Sequence, residues 1–317
     1  MLILLLLEIQ RNRLDHRKNN VNQKVEVSIL VPIKNEAANL PRCLSSVYWA
    51  NEIFVVDSNS TDKSIEIAES FNAKIVQFKY NGTWPKKKNW ALDNLPFSNE
   101  WVFILDADEV LPHNAEDEFR CITQNKVSEI AGYWINRRFM FMGKWLKHSY
   151  YPNWNLRLFK HRYGRYEKIT DSATNSGDNE VHEHIIIEGK TGRLECEMDH
   201  YAFPSVETFI EKHNRYSNWE ACVSLDPVLN SCSQELQNQR VKFRRYIKNI
   251  SKHMPFRPFL RFAYVYLWQK GFLDGREGYY FARLHAVYEL LSIAKTYELR
   301  KKKLNADTRD SSVPSDI

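Results

Sequence analysis

The stretch Trp101-Val-Phe-Ile-Leu105-Asp106-Ala107-Asp108-Glu109 decides how this chain is read. Five apolar residues in a row predict a buried strand of a parallel sheet, and two carboxylates one residue apart follow at its C-terminal end. In open α/β sheets, ligands sit outside that end of the strands. Two like charges held this close repel unless a cation lies between them, and a divalent metal is the usual solution. A plain polar turn after a strand would also produce Asp-x-Asp, so the surrounding chain has to decide.

Towards the N-terminus the pattern is regular. Residues 27–33 are predicted as a strand, 37–49 as a helix and 53–56 as a second strand, which ends in Asp57-Ser-Asn-Ser-Thr-Asp62. Ser60 or Thr61 is expected to cap the next helix, with Asp62 in its first turn, where the helix dipole favours negative charge. Residues 75–78 read as a third strand, 86–95 as a helix and 101–105 as the fourth strand. Strands alternating with helices imply βαβ units and a mostly parallel sheet. Asn35-Glu36, Asp57 and Asp106/Asp108 are then expected to follow the ends of strands one, two and four and to face one crevice. Neither GxGxxG nor GxxxxGK[ST] occurs, so a bound phosphate would need a metal or basic side chains. The run Trp84-Pro-Lys86-Lys87-Lys88-Asn89 is a candidate source of them.

Beyond Pro112 the rhythm changes. Residues 130–142 and 154–160 read as longer strands, 170–180 as a polar loop and 206–223 as a helix. After Gln234 the chain reads as nearly all helix. Of 317 residues 43% are hydrophobic, with nine Trp, 16 Tyr and 17 Phe, enough for a substantial core. The net charge of +6 is unevenly spread: residues 242–303 hold 15 Lys/Arg against 4 Asp/Glu. Within them Pro255-Phe-Arg257-Pro-Phe-Leu-Arg261-Phe-Ala-Tyr-Val-Tyr-Leu-Trp268 suits a helix lying in a membrane interface, and Lys242-Phe-Arg-Arg245-Tyr-Ile-Lys248 adds attraction for anionic lipid. A core-packing helix with a solvated basic face fits the same pattern. Nucleic acid is not an expected partner, because no recognised binding module accompanies the charge. The five cysteines lack CxxC spacing and read as reduced cytosolic thiols. The apolar start, residues 1–7, lacks a basic n-region and falls far short of the roughly 20 residues that span a bilayer.

Val31-Pro32-Ile-Lys-Asn35-Glu36, Val55-Val-Asp57-Ser-Asn-Ser-Thr-Asp62 and Leu105-Asp106-Ala107-Asp108-Glu109 together resemble the nucleotide-sugar half of a family 2 glycosyltransferase. Further motifs resemble the bacterial branch that holds lipopolysaccharide-core β-1,4-glucosyltransferases. They are residues 85–92, Asn155-Leu-Arg157-Leu-Phe159, Val181-His-Glu183-His184, Asp199-His200-Tyr201 and Lys270-Gly-Phe-Leu-Asp274-Gly275.

The resemblance implies a GT-A fold, a Rossmann-like mixed sheet with flanking helices, followed by a basic, aromatic helical segment. It also implies inverting transfer of a hexose, glucose by likeness, from a UDP-sugar to a lipid-linked, lipopolysaccharide or exopolysaccharide acceptor. The enzyme would sit in the cytoplasm, peripheral at the inner face of the membrane. Pro32, Asn35, Glu36, Asp57, Asp62, Asp106 and Ala107 would serve the nucleotide sugar, and Lys87 its diphosphate. Arg157 would meet phosphate or acceptor, or form a structural ion pair. Asp106, Asp108 and His200 would hold Mn²⁺ or Mg²⁺, and Glu183 would be the base. His182 and His184 lack the two further ligands and the HExxH pattern of a zinc site. The implied division is 1–24 extension, 25–235 catalytic domain, 236–304 membrane-associating segment and 305–317 tail.

Two rivals stand beside this. Asp106 and Asp108 also fit the nucleophile motif of haloacid-dehalogenase-type phosphatases, although that fold opens with this strand and needs a later acidic pair. A non-catalytic UDP-sugar-binding protein at the membrane is the other.

Overall fold

The computed structural model describes residues 23–168, 184–225 and 256–310. Glu183, His182, the expected loop 170–180, the cluster 242–248 and most of the two terminal segments lie outside the described residues.

The first half alternates as expected: β1 (Val25–Ile33), α1 (Leu40–Ser45), β2 (Ala50–Asp57), α2 (Ser64–Ser70), β3 (Lys74–Gln77), α3 (Lys87–Asn94) and β4 (Trp101–Ile104). The second half holds β5 (Glu109–Val110), α4 (Ala115–Gln124), β6 (Ile130–Phe141), β7 (Lys144–Trp145), β8 (Trp154–Lys160), β9 (Gly164–Tyr166), β10 (Ile185–Ile187) and β11 (Lys190–Phe203). Helix α5 (Val206–Leu225) follows. After the undescribed stretch come α6 (Arg257–Ala263), a π-helical turn (Tyr264–Trp268), a 3-10 turn (Gly271–Asp274) and α7 (Gly275–Asp310).

Nine strands form one sheet in the order β3-β2-β1-β4-β8-β6-β11-β5, with β7 on β6; β9 and β10 pair separately. Strands β3, β2, β1 and β4 run parallel, β8 is antiparallel to β4 and β6, and β11 runs parallel to β6. This is the mixed α/β sheet expected of a GT-A fold.

Period-two alternation explains its two faces. Val27, Ile29 and Val31 of β1 and Phe103 of β4 pack under α1 and α4, while Leu30, Val102 and Ile104 pack with Ala91 and Leu92 of α3 on the other side. A third apolar cluster joins Phe139 and Phe141 of β6 to Phe209 of α5 and Phe281 of α7, so the C-terminal helices are packed onto the main sheet.

Two local expectations are corrected, and two elements are new. The helix predicted over 37–49 shortens to Leu40–Ser45, because residues 36–39 form a turn on the Glu36 carbonyl and Pro41 sits in the first helical turn. Neither Ser60 nor Thr61 caps α2. Both bond the Asn35 loop, and Asp62 takes the N–H and hydroxyl of Ser64 at 3.0 and 2.6 Å. Strand β11 and helix α4 were not predicted. Charged Glu195, Glu197 and Asp199 mask β11, yet they alternate with buried Leu194, Cys196 and Met198, which is the period-two signal. Helix α4 carries Glu116, Asp117 and Glu118 in its first turn, a helix-start signature.

Candidate active site

The C-terminal ends of β1 and β4 open on one cavity of about 660 Å³. Pro32 enters it from the end of β1 and Glu36 from the loop beyond; Asp106, Ala107 and Asp108 from beyond β4; Arg157 from β8; and His200 from β11. Register explains how distant residues meet. Strand β8 pairs Phe159 with Val102 and Leu158 with Phe103, so one step further Arg157 lies across from Ile104, within reach of Asp106. Strand β11 pairs His200 with Glu109, and the Tyr201 N–H donates to the Asp108 carbonyl at 2.8 Å, which sets the imidazole beside the Asp108 side chain.

Asp106 is held between two cations. Its Oδ1 meets Lys88 Nζ at 2.8 Å and its Oδ2 meets Arg157 Nη2 at 2.6 Å. Arg157 also reaches Glu109 Oε1 at 2.8 Å, shared with Arg137 at 3.1 Å, while Glu109 Oε2 accepts the Asp106 N–H at 3.0 Å. Burial works to raise the Asp106 pKa, but the charges of Arg157 and Lys88 outweigh it and hold the carboxyl well below its usual range. Burial likewise opposes the charge on Arg157, and Asp106 and Glu109 more than restore it. Glu36 goes the other way: burial raises its pKa against the hydrogen bond from Asn39, and the charge of Asp108 adds to the rise.

Asp108 has different neighbours. Its Oδ1 lies 3.6 Å from His200 Nε2 and its Oδ2 3.8 Å from Lys212 Nζ of α5. Both exceed hydrogen-bond length, and His200 Nδ1 is buried with no partner among the described residues. Burial would raise the Asp108 pKa, yet His200 and Lys212 bring it below the ordinary value. Among the described residues no group of three or more His, Cys, Asp or Glu is placed to hold a metal by itself. One ionised carboxylate and one imidazole facing each other without a bond do fit a divalent cation that takes its other ligands from phosphate and water.

The other expected residues are placed as follows. Asp57 is buried, accepts the Ser60 N–H at 3.0 Å, and lies outside the cavity lining. Asn35 accepts the Thr61 N–H at 2.8 Å, and Asp62 ties the β1 loop to α2 by accepting the Ala37 N–H at 3.0 Å. Lys87 is buried and donates to the Ile33 carbonyl at 2.8 Å, so its neighbour Lys88 is the one that lines the cavity. Glu183 lies outside the described residues, but the next residue, His184, lines the cavity and is fixed by Glu167 at 2.9 Å.

Sequence reasoning missed several lining groups. Trp134, Tyr150 and Trp154 come from β6, β8 and the loop between them, Lys212, Tyr216 and Trp219 from α5, and Phe281, His285 and Tyr288 from α7. Lys212, Tyr216 and Trp219 stand four and three residues apart, a helix-face spacing that carries the available signal.

The glycosyl transferase family 2 model matches residues 28–175. The lipopolysaccharide core biosynthesis glycosyltransferase LpsC of Rhizobium meliloti is 27% identical over 91% of this chain and 98% of its own length. An uncharacterized glycosyltransferase of Rickettsia felis is 30% identical over 62% of this chain and 69% of its own. Residues 1–349 of Staphylococcus aureus TarS overlay 89% of this chain and 92% of that one at 14% identity with a TM-score of 0.40, too loose to bear on the site. With the motifs Asn35-Glu36, Asp57 and Asp106-Ala-Asp108 inside the matched residues, this chain belongs to glycosyl transferase family 2.

Proposed function

We propose that this glycosyltransferase moves a hexose, glucose by resemblance, with inversion from a UDP-sugar to a lipid-linked or lipopolysaccharide-type saccharide at the inner face of the cytoplasmic membrane. One observation carries the reading: carboxylates from two parallel strand ends share a single cavity with Lys88, Arg157 and Lys212. The lipopolysaccharide class of acceptor is supported by the likeness to LpsC along nearly the whole chain.

Glu36, half-buried and lining the cavity together with Pro32, would accept from the uracil N–H, and Asp57, with Asn35 and Asp62, would hold the loops that frame the base and ribose. Ala107, the small residue between the two aspartates, leaves room for the sugar diphosphate beside Asp106. Asp108 and His200 would hold Mn²⁺ or Mg²⁺. When bound, that ion supplies Lewis-acid stabilisation of charge on the departing diphosphate. Lys88, Arg157 and Lys212 supply fixed positive charge to the same oxygens, already oriented before the reaction. The acceptor oxygen bonds the anomeric carbon as the bond to diphosphate breaks on the opposite face, and UDP leaves with that electron pair. Glu183 would take the hydroxyl proton; its support is that it directly precedes His184 on the cavity wall.

The phosphatase reading loses its footing here. A phosphatase of that type opens with the strand that carries its nucleophilic aspartate, and here β1, β2 and β3 all precede the Asp106 strand. Calorimetry with UDP and a panel of UDP-sugars, in Mn²⁺ or in EDTA, tests the donor site. Metal-dependent binding is expected, and Asp108→Ala is expected to abolish it and to lower turnover by about 10²–10³-fold. Absence of binding by every UDP compound would overturn the reading. Binding without turnover on any saccharide acceptor would favour the non-catalytic alternative.

A further inference from the structure

The turn Gly271–Asp274 faces two ways. Gly271 and Asp274 are buried, whereas Phe272 and Leu273 between them are exposed. On the inner side the Asp274 carboxylate accepts four hydrogen bonds from one loop of the catalytic domain. They come from the N–H groups of Lys147, His148 and Ser149 at 3.0, 3.1 and 2.8 Å, and from the Ser149 hydroxyl at 2.7 Å. Lys144 Nζ donates to the Asp274 carbonyl at 2.7 Å. The fit leaves no room for side chains: a Cβ at Gly271 would lie 2.8 Å from Ser149 Oγ, and one at Gly278 would lie 2.1 Å from the Gly271 carbonyl oxygen.

The loop clamped in this way leads directly into the cavity. Tyr150, next after Ser149, lines it and packs between Phe139 and Phe281, with ring centroids 5.0 and 5.8 Å away. Phe139 in turn lies 5.6 Å from the His200 ring. Asp274 therefore fixes a wall of the site although it does not itself line the cavity.

On the outer side Phe272 and Leu273 belong to a run of exposed apolar groups. Phe256, Phe259, Leu267 and Trp268 stand on the elements that precede the turn, and Phe256 and Trp268 are 80% and 79% exposed. Lys270, Arg276 and Arg283 are exposed among them. From residue 256 to 283 the sequence holds two carboxylates: Asp274 is buried, and Glu277 is paired with Lys144 at 3.2 Å. The outward charge is thus positive, beside exposed apolar rings, a combination that suits an anionic lipid surface. No helix among the described residues is long and apolar enough to cross a membrane.

We infer that this surface docks on an anionic bilayer with Phe272 and Leu273 in the headgroup layer, and that docking steadies the Tyr150 wall, because the docking turn is the one that holds residues 147–149. The inference rests on the membrane-peripheral reading above and adds the coupling between lipid and site. Asp274 is a positioning residue in this scheme.

The test uses the full chain with vesicles of phosphatidylglycerol and phosphatidylethanolamine, and with neutral phosphatidylcholine as control. Co-sedimentation reports docking, and hydrogen exchange reports order at each peptide. The wild type is expected to bind the anionic vesicles selectively, with exchange slowed both at 256–283 and at 146–153. Phe272→Ser with Leu273→Ser should weaken partitioning about tenfold or more, since two apolar side chains no longer leave water. Asp274→Asn should still sediment with vesicles but lose the lipid-dependent slowing at 146–153. The wild-type comparison decides alone if that variant does not fold. Docking with unchanged exchange at 146–153 would overturn the coupling and leave the membrane reading intact. No docking would overturn both, and concentration-dependent protection without lipid would assign the surface to a second copy of the chain. UDP calorimetry is independent of every one of these outcomes.

Discussion

The two halves of the sheet hold their functional groups by different means. In the parallel half the loops after β1 and β2 are stitched by short-range polar contacts: Asp57 on Ser60, Asp62 on Ser64, and Asn35 on Thr61 across adjacent strands. In the other half Arg137, Arg157, His200, Lys212 and Phe281 come from five separate elements and meet through sheet register and helix packing. The boundary between the halves runs through Asp106, Asp108 and Glu109, each of which touches a cation or imidazole from the far side. One side of the cavity is thus framed by loops that hold one another, while the opposite wall depends on the whole fold being in place.

The sharpest way to break this comparison is Arg157→Ala. It leaves Asp106 and Glu109 next to each other with one shared buried cation gone, and removing one partner of a buried ion pair costs about 3–5 kcal/mol. Urea unfolding at neutral pH should register that loss. A change within about 0.5 kcal/mol, the usual range for surface substitutions, would mean the halves are joined by apolar packing alone.

A smaller effect should come from His213, which stacks on Phe209 with ring centroids 3.7 Å apart and donates its Nδ1–H to the Phe209 carbonyl at 2.8 Å. Lys212 on its own helix, Arg261 on α6, and His285 and Tyr288 on α7 surround it. Burial pushes its pKa down to about 4 from an ordinary 6.5. The folded protein keeps this ring neutral where the unfolded chain takes up a proton. Stability is therefore full above pH 6.5 and falls as the pH drops from there to about 4. The shift corresponds to about 3 kcal/mol across that window. His213→Gln should flatten the wild-type decline in urea midpoints between neutral and acid pH. An unchanged slope would place the titration elsewhere.

Arg42→Ala sharpens the comparison at its weakest link. The guanidinium of Arg42, on α1, sits 3.6 Å from the ring centroid of Tyr201, on β11, and so bridges the halves from outside the cavity. A loss of about 0.5–1 kcal/mol by chemical denaturation is expected, the usual size of an exposed cation–π contact. A much larger loss would show that the Tyr201–Asp108 backbone contact depends on it.

Legibility followed the same boundary. Strands β1, β2 and β4, with the carboxylates after them, could be read because apolar runs and turn residues act over a few positions. Glu109 was in plain sight beside Asp108, but its burial between Arg137 and Arg157 is set by residues 28 and 48 positions away. Lys87 and Lys88 are indistinguishable as neighbours in sequence. The start of α3 turns one onto the Ile33 carbonyl and the other into the cavity. The basic, aromatic C-terminus reads as membrane-seeking, with a core-packing helix as the alternative, and neither reading singles out Phe281, His285 and Tyr288 as groups that line the site.

By itself, then, the sequence determined the alternating sheet, the crevice with its carboxylates and the family to which the chain belongs, since periodicity, turn chemistry and motif order are local properties of the chain. Only the tertiary structure decided which cation neutralises which carboxylate, that β11 carries His200 to Asp108, and that the turn at Asp274 clamps a wall of the cavity. Those contacts depend on strand register and on close packing between segments as much as 127 residues apart, and no local pattern encodes either.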